Sequence, residues 1–458
     1  MKLKTTFIKL NDGIEICVPE QIDLMSNFVL QEQGDWFEDE INFVRAFIKP
    51  GMQALDIGAN YGLYSTAIAK NLQGQGRLWC FEPTQNTADA LRQTIAKNQL
   101  GESIELIQAG LSDHLGQATL YTSPNAELNS LTANESTSGE QQTIDLLTLD
   151  HCLEKYRWQH LEFIKLDAEG EELKIVKQAQ RTLSICSPLI MFELKHGPHI
   201  NTHLISAFQQ YGYQPYQLIP GLNILAPFNP AAQIDGFLLN LFCCKDDTAQ
   251  KLAHEGFLVK QVKPQGPDQG VSINEFLSQF DFAKLLPTQL PIDNAPQRDY
   301  QSAMAAYVGS RNPQFTSEQR LAHLAYAFEI VKKMLSAGES RIERLSTFAR
   351  ICFDFGQRSI GLQVLEYLIQ KFVHNREPFS IGQEFVPPGR EFEAVNPQGR
   401  LGDWLCAASI DQYIRKHAFS FYFSTNDTVP LFAELKRLNF QHPDMLKREA
   451  TFWKLVNQ

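Results

Sequence analysis

Between residues 53 and 245, short apolar runs rich in β-branched and aromatic residues alternate with amphipathic stretches of helical period. That alternation predicts a parallel sheet whose strands are joined by crossover helices. The runs place strands at 53–58, 77–82, 104–111, 161–167, 188–194, 213–219 and 236–244, with helices near 61–72, 85–98, 171–183 and 202–211. The polar segment 123–143 reads as a loop, serving either as a lid or as plain surface. Beyond Lys245 the texture changes. Residues 246–316 carry Pro264-Gln-Gly-Pro and Leu286-Pro-Thr-Gln-Leu-Pro and read as an extended connector with a short helix or two. Residues 317–372 are strongly helical, and Pro387-Pro388-Gly389 marks a break before helical patterns return at 403–417 and 429–456. Leu345, Ala349, Gly356, Gly361, Leu365 and Leu368 suit either one tetratricopeptide-like helix pair or an ordinary helical hairpin. The expected organisation is therefore an α/β domain over 1–245, a connector over 246–316 and a helical domain over 317–458.

The most informative turn follows the first strand, in Leu55-Asp56-Ile-Gly58-Ala59-Asn60-Tyr-Gly62. Glycines there allow a sharp turn and close approach to a ligand, and the opening amides of the next helix are anion donors. Asp56 narrows the choice of ligand. A carboxylate at the mouth of the loop repels a pyrophosphate, and neither a Gly-Lys-Ser/Thr nor a Gly-x-Gly-x-x-Gly pattern is present. S-adenosylmethionine fits better, because it carries a sulfonium and an ammonium and no phosphate. Glu82, at the end of the second strand, is placed to bridge two ribose hydroxyls. Open α/β sheets bind ligands at the carboxyl ends of their strands. The segment Lys165-Leu-Asp167-Ala-Glu169-Gly170-Glu171-Glu172 and the later Glu193, His196 and His199 therefore belong to the same edge.

Composition limits the partners. The chain has 458 residues, 43% hydrophobic content and a formal net charge of −11, which suits a soluble protein with buried cores and disfavours a nucleic-acid partner. The basic clusters are no longer than pairs such as Lys332-Lys333. Eight cysteines are scattered without Cys-x-x-Cys spacing and read as buried thiols. No signal-peptide core and no run of 18 apolar residues appears, so the expectation is a cytoplasmic protein with no membrane span.

Taken together, the pieces at 55–62, Phe81-Glu82-Pro83, Leu111-Ser-Asp113, Ile164 to Gly170 and Met191-Phe-Glu193 resemble the FkbM-type family of S-adenosylmethionine-dependent methyltransferases over residues 36–245. The resemblance implies a class I Rossmann-like fold with a seven-stranded, mostly parallel sheet. It also implies methyl transfer to a hydroxyl of a sugar, glycan or secondary metabolite, a small-molecule or glycan acceptor. On this chain Asp56, Gly58, Ala59, Asn60 and Gly62 would hold the methionine end, Glu82 the ribose, and Ala109 and Asp113 the adenine side.

Asp167 or Glu169 is the leading general base, with Glu193 beside them and His196 as the rival; for His196 and His199 a solvated turn competes with catalysis. Glu169, Glu171 and Glu172 also suit a plain helix start, where acids meet the macrodipole favourably. Asp167, Glu169 and Glu193 are carboxylates of the kind that hold Mg²⁺, but acids alone are a loose signal and no metal is assigned. Two other readings stand against this one. In the first, a degenerate domain serves as a scaffold or adaptor, with the helical carboxy-terminal part making protein contacts or oligomers. The second is an NAD-dependent dehydrogenase, which Asp56 and the missing glycine at position 60 oppose.

Overall fold

The computed structural model describes residues 4–123, 125–126, 129, 131, 141–196, 199–268, 270–287, 294–424 and 428–457. The chain divides into two compact units. The first comprises Met1–Leu218, Pro227–Gln233 and Leu238–Phe257; the second comprises Ile219–Ala226, Ile234–Phe237 and Leu258–Gln458.

The first unit is built on an eight-stranded sheet, one strand more than the seven expected; besides Ile224–Pro227 its strands are β1 (Gln53–Ile57), β2 (Arg77–Phe81), β3 (Ile104–Ile107), β4 (Phe163–Leu166), β5 (Leu189–Glu193), β6 (Gln214–Ile219) and β7 (Asn240–Cys244). They stand in the order β6–β7–β5–β4–β1–β2–β3. Neighbours from β5 through β3 are parallel, and β7 runs antiparallel to both β5 and β6. The strands are apolar on both faces, as a sheet covered on both sides requires. Ala54, Leu55, Leu78, Phe163 and Leu189 are fully buried.

Helix α1 (Glu40–Phe47) covers one face with Phe43 and Phe47, spaced four apart on one side of the helix. Phe43 meets the Phe242 ring at 5.0 Å, and Phe47 meets Phe163 at 6.2 Å. The α/β expectation holds, and five of the expected strands begin within one residue of the observed ones. The helix expected at 171–183 is split into Glu172–Lys177 and Gln180–Cys186.

Two features escape the periodicity. Residues Gly116–Tyr121 and Gln141–Leu147 form an antiparallel pair, joined in a small sheet by Gly110–Leu111. The expected loop at 123–143 thus ends in a strand, and most of its middle lies outside the described residues. In the second unit, the stretch expected as an extended connector holds helix Ala295–Ser310, started by the Asn294 side chain accepting from the Gln297 amide.

That unit continues with helix Ser317–Ser336, opened by a reciprocal capping box between Thr316 and Gln319. A helical pair, Ile342–Phe355 and Arg358–Ile369, follows, with Gly356 left-handed between them at φ 82°. Its core gathers Phe282, Phe385 and Phe392 around the fully buried Trp404, whose indole N–H donates to the Val395 carbonyl at 2.7 Å.

The stretches 219–226 and 234–237, expected inside the α/β domain, cluster with the second unit because their polar groups are satisfied there. The Gly221 amide donates to the Asp354 carbonyl, and Asp235 accepts from the Ser359 amide. Arg358 lies over Phe237 and Phe419 at 4.2 and 4.6 Å. Among the described residues, no helix is long and apolar enough to cross a membrane.

The turn after β1 is tied into the ends of two neighbouring strands. The Gly58 and Ala59 amides both donate to the Phe81 carbonyl at 3.0 Å, and the Asp167 amide donates to the Ile57 carbonyl at 3.1 Å. A Cβ on Gly58 would stand 1.7 Å from the Asp167 carbonyl oxygen, and its φ is 79°. Gly58→Ala is therefore expected to cost about 3 kcal/mol through backbone displacement and left-handed strain. A thermal melt of the variant matching that of the parent would contradict this close approach.

Candidate functional site

Asp56 ends β1 fully buried. Its Oδ2 accepts from the Ser65 hydroxyl at 2.6 Å, while Oδ1 is buried without a hydrogen-bond partner. Lys165 comes from the paired position on β4. Its ammonium bonds Asp167 Oδ2 at 2.8 Å and stands 3.9 Å from Asp56 Oδ1, beyond hydrogen-bond length. Burial works to lower the Lys165 pKa, but the charges of Asp167 and Asp56 together outweigh it and hold the ammonium above its ordinary value. Burial raises the Asp56 pKa against the pull of Lys165 and the Ser65 hydroxyl. With both aspartates ionised, this trio carries one net negative charge.

Glu82 is buried just beyond β2 and is taken up by the turn itself. Its Oε2 accepts from the Asn60 amide and its Oε1 from the Thr84 amide, both at 2.9 Å. Burial pushes its pKa up to about 7, with those two amides pulling the other way. Asn60 is left-handed at φ 49°, a conformation asparagine tolerates better than most residues. Its Oδ1 is a second buried oxygen without a donor. Gly62 caps the following helix, α2 (Leu63–Leu72), in the left-handed region at φ 91°, and a Cβ there would meet Leu91 at 2.4 Å.

The segment after β4 separates its acids by role. Glu172 accepts from the Ala168 and Gly170 amides at 2.8 and 3.2 Å, and Glu171 accepts from the Ser112 hydroxyl and the Lys174 ammonium, both at 2.6 Å. Both therefore hold the helix start. Glu169 differs, being non-glycine at φ 47°. Burial, followed by the charges of Asp167, Glu193 and Glu172, pushes its pKa far above the carboxyl range. Glu193, at the end of β5, is paired in register with the buried Asn240.

The structure thus brings Asp56, Glu82, Asp167, Glu169 and Glu193 to one edge. Ala109 is buried just after β3, and Asp113 stands exposed on a turn, where it accepts from His114 at 2.7 Å. His196 lies in a short paired segment, Lys195–His196 with His199–Ile200, and the histidine side chains there lie outside the described residues. Among the described residues, no group of three or more His, Cys, Asp or Glu is arranged to hold a metal ion.

Three groups at this edge are absent from the sequence reading. Glu38 accepts from the Tyr64 hydroxyl at 2.5 Å, and Lys165 lies over the Tyr64 ring at 5.2 Å. Glu40 is buried behind Glu38, its pKa pushed from 4.5 to about 8 by burial and then by the charges of Glu38 and Asp39. The available signal was the acidic run Glu38-Asp-Glu40 set directly after Trp36-Phe37, ahead of any predicted strand.

Residues 56–215 match the family model described as "Methyltransferase FkbM domain". A curated protein, methyltransferase sdnD of Sordaria araneosa, is 27% identical over 152 residues, covering 27% of this chain. The match spans 58% of that relative's length. Two solved structures align more weakly. An rRNA methylase from Clostridium thermocellum is 10% identical, with a TM-score of 0.28 over 46% of this chain and 95% of that one. A methyltransferase FkbM from Methylobacillus flagellatus KT is 18% identical, also with a TM-score of 0.28, over 42% of this chain and 43% of that one.

Glu40 makes the fold sensitive to pH in one direction. Its pKa is raised on folding, so the native chain holds a proton that the unfolded chain has lost between pH 4.5 and about 8. The stabilising contribution is complete below 4.5 and fades as pH rises to about 8, at no more than about 1.4 kcal/mol per pH unit. Glu40→Gln is expected to flatten the fall of the thermal midpoint over that window. Parallel curves for variant and parent would contradict the assignment.

Proposed function

We propose, proceeding from the FkbM methyltransferase match over residues 56–215, that this sheet edge binds S-adenosylmethionine and methylates a hydroxyl of a sugar, glycan or secondary metabolite. The observation that carries the reading is the buried Oδ1 of Asp56, which accepts no hydrogen bond and is set in a charge trio that is net negative with both aspartates ionised. An orphaned carboxylate oxygen calls for a donor or a cation, and the methionine ammonium is both. Asp56 and Asn60 would hold that end of the cofactor and Glu82 the ribose. Gly58 and Gly62 keep the turn in shape for it.

When bound, S-adenosylmethionine supplies a methyl group already activated by its sulfonium. The chain's own task is to hold the acceptor oxygen in line and to receive its proton. Asp167 is engaged by the Lys165 ammonium, which makes it a positioning group. Burial and the charges of Asp167 and Glu193 raise the Glu169 pKa, a setting in which Glu169 would share a single proton with Glu193. The ionised member of that pair would take the hydroxyl proton, and the protonated member would donate a hydrogen bond to the acceptor.

Calorimetry tests the cofactor first. The parent chain should bind S-adenosylmethionine saturably, and Asp56→Ala or Asp56→Asn should abolish that binding. No binding to the parent would defeat the reading. With a methyl-labelled cofactor and fractionated lysate, the label should appear in sugar-nucleotide, glycan or metabolite fractions; label found only in RNA or protein would overturn the acceptor class. On an identified acceptor, Glu193→Gln should lower kcat about 10²–10⁴-fold while leaving cofactor affinity within about twofold, and Glu169→Gln, which keeps a hydrogen-bond donor, should lower it less.

A further inference from the structure

In a chain of net charge −11, the second unit gathers three arginines around the Tyr307 hydroxyl and its partner Asp354, with a fourth, Arg320, close enough to Arg390 and Arg311 to feel their charges. Arg311 ends helix Ala295–Ser310, Arg320 lies in the opening turns of helix Ser317–Ser336, Arg350 is in helix Ile342–Phe355, and Arg390 opens the short helix Arg390–Ala394. The Tyr307 hydroxyl accepts from Arg311 Nη1 at 3.1 Å and from Arg350 Nη1 at 3.2 Å, and it donates to Asp354 Oδ2 at 3.0 Å. Glu393 Oε1 takes Arg350 at 2.6 Å and Arg311 at 3.3 Å, and Asp354 Oδ2 also takes Arg390 at 2.8 Å.

Four guanidiniums thus pair directly with only two carboxylates. A third, Glu391, is shared among Arg415, Lys416 and Arg350, so the cluster keeps an excess of positive charge. Arg320 forms no ion pair among the described residues. Its Nε donates to the Ser310 carbonyl at 2.9 Å, and it sits near a helix N-terminus, where the macrodipole disfavours a cation. Arg350 is 1% exposed, and its Nη2 is buried without an acceptor. A buried guanidinium N–H left unsatisfied is costly unless an acceptor reaches it. The cluster is not sealed. The Arg311 and Arg390 side chains are 21% and 42% exposed, and Arg320 is half-buried.

We propose that Arg311, Arg320, Arg350 and Arg390 form a binding site for a phosphate or diphosphate group. Guanidinium forks match phosphate oxygens two at a time, and an excess of positive charge suits a dianion better than a carboxylate. Such a group comes either as a free anion or as part of a larger phosphorylated molecule. Consistent with a site awaiting negative charge, burial and the neighbouring charges of Arg390 and Arg311 pull the Arg320 pKa below its ordinary value.

The test is calorimetric titration of the full chain at low ionic strength with pyrophosphate, inorganic phosphate, uridine diphosphate and acetate. Pyrophosphate should bind saturably at one site and acetate at least about tenfold more weakly. Arg320→Ala and, independently, Arg390→Ala should each weaken pyrophosphate about tenfold or more. Uridine diphosphate binding more tightly than pyrophosphate would assign the site to a larger phosphorylated molecule; equal affinity would assign it to the anion itself. Asp56→Ala should leave pyrophosphate affinity unchanged. The proposal is overturned by no saturable binding to the parent, by acetate binding as tightly as pyrophosphate, by variants at 320 and 390 that both bind as the parent does, or by loss of binding in Asp56→Ala.

Discussion

The α/β unit turns on one ammonium held between two carboxylates. Lys165 is placed by the register of β4 against β1, opposite Asp56, and its own strand then delivers Asp167 two residues later. At this strand end Asp56 is not stable as a lone buried anion, nor Lys165 as a lone buried cation, whereas Asp167 is partly open to solvent. The trio makes both buried charges tolerable and, with both aspartates ionised, still leaves one negative charge. The ammonium bonds Asp167 at 2.8 Å and stays 3.9 Å from Asp56, so the uncommitted oxygen is on Asp56. The residual charge therefore falls beside the turn between β1 and α2, where a cationic ligand head would meet it.

The surrounding backbone enforces that arrangement. The turn cannot relax away from β4, because Gly58 lies against the Asp167 carbonyl with no room for a side chain. Nor can it relax away from β2, because Phe81 accepts from two of its amides and Glu82 from a third. Glu82 is consequently a structural bond of the loop, and its two amide donors leave lone pairs unused for a further donor.

Much of this was legible in the sequence because parallel strands and their ends write themselves as local patterns. The apolar runs at 53–58, 77–82 and 188–194 end within about a residue of the observed strands, and Asp56, Glu82, Asp167, Glu169 and Glu193 are the polar residues at or just beyond those ends. What was not legible depends on distant partners. Glu38 and Glu40 precede the first strand, and only the folded chain brings Tyr64 and Lys165 to them. The pair Gly116–Tyr121 and Gln141–Leu147 is half polar and lacks an apolar face strong enough to register as strand. Residues 219–226 follow the local pattern of the α/β sequence, yet Gly221 among them bonds Asp354 and Arg390. Helix Ala295–Ser310 was hidden by the proline-rich stretch before it, although Pro296 in its first turn is a favourable start.

Net charge misleads at the scale on which ligands are recognised. A chain at −11 reads as unsuited to anions, and at the sheet edge the acids do predominate. Near Tyr307 the balance is reversed, because three helices and a short turn each contribute one arginine and only two carboxylates pair with them directly. Sequence cannot signal this, as the arginines are 9 to 40 positions apart and none adjoins another basic residue. On the two proposed readings, opposite local charges within one chain would separate two kinds of ligand by electrostatics alone: a cationic head at Asp56, and a phosphate at the arginines. That division requires only that each unit keep its own buried charges in register, which the trio at Lys165 and the Tyr307 hydroxyl do in their respective units.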